Sequence, residues 1–180
     1  MAPTTKRDII LAGFGGQGIL FAGKLIAYAG LLEGREVSWL PSYGPEMRGG
    51  TANCSVCLAD EPIGSPLVLA PHVLVALNQP SFDKFAHDIV PGGLAVVDSS
   101  LVRQTGERTD IALHAFPATK LAEEAGLKGL ANVVSVGKLF AETGFCREES
   151  LFVAVEKCVS AAKAALIEDN KKALKLGMGS

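Results

Sequence analysis

The chain has 180 residues, 48% of them hydrophobic and 20% charged; that suits one domain with a sizeable core and excludes intrinsic disorder. A formal net charge of −2 excludes the basic footprint of a nucleic-acid binder and a polybasic membrane patch. No apolar run approaches the roughly 18 residues of a membrane span, and the polar start MAPTTKRD lacks a signal-peptide core, so the expected location is cytoplasmic.

The first strand is expected at Asp8–Ala12, a continuous apolar run of the kind buried in a parallel sheet. A helix follows from Gly16 to about Glu33, with Ile19, Leu20, Ile26 and Leu31 at helical spacing and Gly34 as its stop. Val37–Leu40 reads as a second strand, and the three pieces as one strand–helix–strand unit. Pro41–Gly50 is a loop. Thr51–Ala59 is a third strand reached without a helix, which favours an antiparallel neighbour and a mixed sheet.

Asp60–Pro66 reads as a turn and Val73–Leu77 as a buried strand, followed by a short helix over Ser81–Asp88. Leu94–Val97 and Ile111–Phe116 are further strands. Ala118–Ala125, Val133–Thr143 and Glu148 to about Leu176 read as helices. The last presents Leu151, Phe152, Val155, Val159, Ala162 and Leu166 as one stripe, with a Lys-rich end that suits its dipole. The expected fold is α/β: a single three-layer α/β/α Rossmann-like domain over residues 1–180, with a mostly parallel, mixed central sheet. Its core should span about 8–165, with a helical C-terminus.

Four cysteines are present, reduced in a cytosolic chain. Cys54 and Cys57 have C-x-x-C spacing but lie in a strand, where residues three apart face opposite ways, so the thiols should diverge. A cluster of [4Fe–4S] type needs four thiolates as a rule, which the Cys54–Cys57 pair and three scattered histidines do not supply. His72, His87 and His114 lie near no motif, and no nucleophile–base pair is suggested by spacing.

GFGGQG, residues 13–18, satisfies G-x-G-x-x-G between a strand and a helix. Gly13, Gly15, Gly16 and Gly18 allow a tight turn, and the helix start offers free N–H groups to a phosphate or carboxylate. Gln17, at the first turn, is placed to touch a ligand or a neighbouring chain. A nicotinamide site wants an acid at the end of the second strand. That strand ends Trp39-Leu40-Pro41-Ser42, and Glu33 and Glu36 come too early. A free-standing NAD(P)- or FAD-binding oxidoreductase domain is therefore the second reading. A third is that the glycines serve only helix–strand packing.

PSYGPEMRGG, residues 41–50, is the more informative loop. It leaves the sheet at the same edge as the glycine loop if the two strands are parallel, and ligands of open α/β sheets bind there. Its prolines stiffen a platform for Ser42, Tyr43, Glu46, Met47 and Arg48, and an arginine beside two glycines suits a bidentate grip on carboxylate or phosphate. The plainer alternative is a solvated Glu46–Arg48 pair. Asn78 ends a strand at what should be the same edge, either to complete the site or to cap the next helix.

GFGGQG followed by SYGPEMRGGTANC resembles the gamma subunit of the 2-oxoacid:ferredoxin oxidoreductases. VLVALNQP (73–80), Pro91–Gly93 and Asp98–Ser100 also look like that family, and the resemblance runs from Asp8 to about Ala165. It is nearer the 2-oxoglutarate and 2-oxoisovalerate branches than the pyruvate or indolepyruvate ones. The resemblance implies a thiamine-diphosphate-dependent complex that decarboxylates a 2-oxo acid, forms acyl-coenzyme A and passes electrons to ferredoxin. It implies alpha, beta and delta partners that hold thiamine diphosphate, magnesium and [4Fe–4S] clusters. It also implies that this chain alone carries no cofactor, is inactive in isolation and shapes the coenzyme A side. Carried over residue by residue, the first loop is Gly13, Gly15, Gly16, Gln17 and Gly18, with coenzyme A as its leading ligand. The second is Ser42, Tyr43, Glu46 and Arg48, facing the partners, with Asn78 beside both.

Overall fold

The computed structural model describes residues 6–42, 51–106 and 108–180. The strands are β1 (Lys6–Phe14), β2 (Glu36–Ser42), β3 (Thr51–Ala59), β4 (Val73–Ala76), β5 (Leu94–Asp98) and β6 (Ala112–Phe116). The helices are α1 (Ile19–Leu32), α2 (Gln79–Phe85), α3 (Ala118–Glu124), α4 (Ala131–Thr143), α5 (Glu148–Cys158) and α6 (Ile167–Met178). All six strands join one sheet in the order β2-β3-β1-β4-β5-β6. Neighbours among β1, β4, β5 and β6 run parallel, while β3 is antiparallel to both β1 and β2. The expected mixed α/β sheet is therefore present.

β1 and β2 run the same way but are not neighbours, because β3 lies between them. The physical reason is in the two strands. Cys54, Val56 and Leu58 of β3 are wholly buried, which an interior position satisfies. β2 carries Pro41, which has no N–H to give a ladder and belongs on an edge.

The two sheet faces are covered unequally. On one, Ile9, Leu11, Val56 and Leu58 pack with Leu25 and Ile26 of α1, Leu139 of α4, Leu151 of α5 and Leu174 of α6. Burying each such side chain contributes roughly 1.5–3 kcal/mol. On the other, Ile10, Ala12, Leu74 and Ala76 meet Phe82 of α2 and Ile89. The third layer is thus mainly the seven-residue α2 and the irregular connections beside it.

The expected long helix from Glu148 to about Leu176 is two helices. Val159 (ψ 125°) and Ser160 (φ −65°, ψ 150°) are extended and end α5. A 3-10 segment, Ala161–Leu166, then leads into α6. Leu151 and Val155 are buried as expected, but Ala162 and Leu166 are exposed. The break lets α6 turn onto α4. There the backbones touch: a Cβ on Gly137 would overlap the carbonyl of Leu174, and one on Gly177 the carbonyl of Val134. The core accordingly runs past residue 165 to Leu174.

Candidate functional site

β1, β4, β5 and β6 all end at one edge of the sheet, where the glycine loop lies. Phe14 is the last residue of β1, and its carbonyl accepts the Gln17 N–H at 3.1 Å to close the turn. Gly16 (φ +93°) and Gly18 (φ +71°) hold left-handed conformations that other residues adopt at a cost. Gly18 begins α1 with no side-chain cap, and the first turn contains no acidic residue. Among the described residues no side chain caps the helix start, whose N–H groups and dipole favour an anion. A cleft of about 260 Å3 lies here, walled by Phe14, Gly15, Gly16, Gly18, Leu20 and Phe21 among others.

Gln17 does not point outward as a ligand contact would. Its Oε1 accepts the Phe14 N–H at 2.5 Å and an Asn78 Nδ2–H at 3.4 Å, while its Nε2 donates to the Leu77 carbonyl at 3.2 Å. The side chain is a clasp between the glycine loop and the end of β4. Asn78 is buried, and its Oδ1 accepts the Ser81 N–H at 2.8 Å. Of the two roles expected for it, the helix cap is the one present, with Pro80 in the first turn of α2.

Three further residues hold this edge; Gln79 and Asp98 lie in the 73–80 and 98–100 segments already singled out in the sequence, while Asn132 carries no signal that marks it in advance. Asn132, at the start of α4, donates from Nδ2 to the Gly18 carbonyl at 2.9 Å. Its amide packs where a Gly18 Cβ would stand, 2.5 Å from Nδ2, which requires glycine there. Gln79 accepts the Arg103 and Gln104 N–H groups at 2.8 and 2.9 Å and so fixes the loop after β5. Asp98, buried at the end of β5, accepts from the Thr119 backbone N–H at 3.1 Å and the Ser100 N–H at 3.0 Å. Each of these side chains holds a loop, although the buried Asn132 Oδ1 has no partner among the described residues.

The second loop leaves from the same edge. Ser42 pairs with Asn53, while Gly13 pairs with Ala52 and Phe14 with Thr51. The end of β2 and the start of β3 therefore lie at the edge of the glycine loop, as parallel β1 and β2 require. Tyr43, Glu46 and Arg48 lie outside the described residues. Ser42 is exposed.

A larger hollow of about 990 Å3 opens at the opposite edge. Its charged groups tie helix ends to the sheet. Arg7 donates to the Thr143 carbonyl at the end of α4 at 3.1 Å. Arg35 pairs with Asp60 at 3.0 Å and Arg147 with Glu33 at 3.1 Å. Glu33 also accepts from Ser150. Burial pushes the Glu33 carboxyl up, but the Ser150 and Arg147 hydrogen bonds outweigh it and hold the group below its usual value. These are joints of the fold, far from the glycine loop.

The cysteines behave as core residues. Cys54 belongs to the α1-side core, and its thiol donates to the Ile19 carbonyl at 3.6 Å. Cys57 points the other way, towards Asp8. Burial pushes both thiols up to about 12. Among the described residues no three His, Cys, Asp or Glu side chains could hold a metal ion, and no helix is long and apolar enough to cross a membrane.

The edge is thus that of an α/β domain with an open glycine loop at the start of its first helix. The chain belongs to the pyruvate ferredoxin/flavodoxin oxidoreductase family, whose match spans residues 8–180. It is 41% identical over 167 residues to the ketoisovalerate oxidoreductase subunit VorA of Methanothermobacter thermautotrophicus, covering 93% of this chain and 35% of that protein. The chain therefore spans about a third of that relative's length. It is 39% identical to the 2-oxoglutarate synthase subunit KorC of Methanocaldococcus jannaschii, over 83% of this chain and 82% of that one. Among solved structures it is similar to the keto/oxoacid ferredoxin oxidoreductase gamma subunit of Geobacter sulfurreducens, with TM-score 0.83, 32% identity and 96% of each chain covered. The same fold fills 31% of a 2-oxoglutarate:ferredoxin oxidoreductase chain of Magnetococcus marinus, at 22% identity and TM-score 0.86.

Proposed function

We propose that this chain is the gamma-type subunit of a 2-oxoacid:ferredoxin oxidoreductase. The complex would use thiamine diphosphate, magnesium and [4Fe–4S] clusters, all held by alpha, beta and delta subunits. It would convert a 2-oxo acid to acyl-coenzyme A and pass electrons to ferredoxin. Either 2-oxoglutarate or 2-oxoisovalerate is favoured over pyruvate, in keeping with the KorC and VorA relatives. The observation that carries the reading is the side-chain-uncapped start of α1 beside Gly15 and Gly16. An anion there receives backbone N–H groups and the helix dipole, which suits a phosphate-bearing group, coenzyme A first.

In this reading Gly13, Gly15, Gly16 and Gly18 form the cradle. Gln17 and Asn78 set its position relative to β4, and Ser42, Tyr43, Glu46 and Arg48 face the partner subunits. The dinucleotide reading gains nothing at the same edge, because β2 ends Leu40-Pro41-Ser42 with no carboxylate for a ribose.

The test is reconstitution. The isolated chain is expected to show no 2-oxo acid-dependent reduction of ferredoxin, and the activity is expected to need this chain alongside alpha, beta and delta. Activity without it removes the proposal. Calorimetry with coenzyme A, NADH and FAD decides between the two ligand classes.

A further inference from the structure

Asn132, in the first turn of α4, is buried, with 4% of its surface exposed. Its Nδ2 donates to the Gly18 carbonyl at 2.9 Å, across 114 residues of sequence. That carbonyl also accepts the Ala22 N–H at 3.0 Å, so both of its lone pairs are engaged. The Asn132 Oδ1 is buried and has no partner among the described residues. An amide with one orphaned end is a poor choice for stability, because an apolar side chain would avoid the cost of desolvating it. Asn170 has the same orphaned oxygen, but its Nδ2 donates locally, to the Leu166 carbonyl four residues back. Asn132 spends its donor on the glycine loop instead.

A trans peptide is planar, so its N–H points opposite to its C=O. Two donors on the Gly18 carbonyl fix the plane of the peptide that joins Gly18 to Ile19, and with it the direction of the Ile19 N–H. Gly18 is where such control matters. It sits at φ +71° and has no side chain to limit its backbone, which glycine otherwise leaves free to reorient. Ile19 is the first residue of α1 and lines the cleft of about 260 Å3 beside Gly15 and Gly16. Its N–H is one that the hydrogen bonds of an α-helix do not use.

We propose that Asn132 is a positioning residue of the coenzyme A cradle: acting through Gly18, it aims the Ile19 N–H at the ligand's phosphate. The proposal rests on the reading of the α1 start given above. It extends the site to α4, which supplies none of the described residues that line the cleft. A backbone N–H held in place before the ligand arrives needs no ordering on binding, and this is how a residue that does not touch the ligand contributes to its affinity.

The test uses the reconstituted complex with Asn132→Ala or Asn132→Val. Both remove the donor, and valine also replaces the orphaned oxygen with apolar atoms. Thermal midpoints check the fold. Steady-state kinetics give kcat and separate KM values for coenzyme A and for the 2-oxo acid. A variant that melts within a few degrees of wild type is expected to raise the coenzyme A KM about tenfold, the lower end of what a hydrogen bond to a charged group contributes. Its kcat and its KM for the 2-oxo acid should stay within about twofold of wild type, the pattern of lost binding rather than lost chemistry. An unchanged coenzyme A KM overturns the proposal. So does a fall in kcat with both KM values unchanged, or loss of the fold in both variants, because each makes Asn132 a residue of stability only. Gly15→Asp tests the cradle itself, since it sets a carboxylate there at a glycine without a positive φ. If Gly15→Asp leaves the coenzyme A KM unchanged, the cradle reading fails and this proposal with it. A raised KM in Gly15→Asp beside wild-type values in the Asn132 variants overturns the positioning role alone.

Discussion

The Gln17 side-chain amide reaches the carbonyl of Leu77 at 3.2 Å, across 60 residues of sequence. The same side chain accepts from the Phe14 N–H and from Asn78, and Asn78 caps α2. The glycine loop, the end of β4 and the start of α2 are therefore one hydrogen-bonded unit. In the proposed reading, a ligand on the loop would be positioned by groups it does not touch.

Gln17→Ala leaves the Leu77 carbonyl and the Phe14 N–H without their partner. The Phe14 bond is exposed and the Leu77 bond part-buried, so a loss of about 0.5–1.5 kcal/mol is expected, read as a urea midpoint lowered with unchanged slope. Gln17→Glu keeps an acceptor for Phe14 but sets a carboxylate oxygen against the Leu77 carbonyl, so it should do no better than alanine. Wild-type stability in Gln17→Ala would show the clasp to be incidental.

Gly18→Ala forces a side chain onto φ +71° and into the Asn132 amide. A loss of about 1–3 kcal/mol is expected from the overpacking. Asn132→Ala removes the obstruction, so the double variant should be more stable than the sum of the single losses predicts. A double-mutant cycle measures this coupling, and simple additivity would mean that the two residues do not press on each other.

Gly137→Ala and Gly177→Ala each drive a methyl into the backbone of the facing helix. Backbone cannot swing aside as a side chain can, so each is expected at the upper end of overpacking, roughly 3 kcal/mol. Gly64→Ala is the control. It sits in open space without a positive φ, and should change the denaturation midpoint by no more than about 0.5 kcal/mol equivalent.

Burial holds the Cys54, Cys57 and Cys146 thiols at about 12 and Cys158 at about 11. The thiolate is the reactive form. At pH 8 the folded chain is expected to react only slowly with a thiol reagent such as dithiobis(nitrobenzoic acid), and all four cysteines should react quickly in guanidinium. A fast-reacting thiol in the folded chain would contradict the packing.

Lys138 lies 2.8 Å from Glu142 and His114 lies 3.0 Å from it, joining β6 to α4. The Lys138 hydrogen bond, opposed by burial and aided by His114, holds the Glu142 carboxyl below its ordinary 4.5. A depressed folded-state value contributes stability above the unfolded value and loses it as pH falls through the folded one. Stability should therefore decline below about pH 4.5, and Glu142→Gln should flatten that decline. Parallel acid limbs for the two proteins would rule out this contribution.

Much of the site was visible as pattern. GFGGQG after an apolar run marked the loop at the start of α1, and the short connection before Thr51 marked an antiparallel strand. The alternation of Cys54 and Cys57 marked thiols that diverge. Asn132 was not visible, because its partner Gly18 lies 114 residues away and nothing local distinguishes it from any polar residue near a helix start. The direction of Gln17 was equally hidden: the sequence suggested contact with a ligand or a neighbouring chain, whereas its partner Leu77 lies 60 residues away in the same chain.

By itself the sequence determined the order of strands and helices along the chain, the family and the edge at which the glycine loop lies. Hydrophobic period, glycine spacing and connection length are local properties, and they are sufficient for those. Only the tertiary structure decided that β3 lies between β1 and β2, that the last helix breaks at Ser160 to bring Leu174 onto Gly137 and Gly177 onto Val134, and that Gln17 turns inward. Each of these is a competition for burial among segments distant in sequence, and it is settled by which surfaces meet.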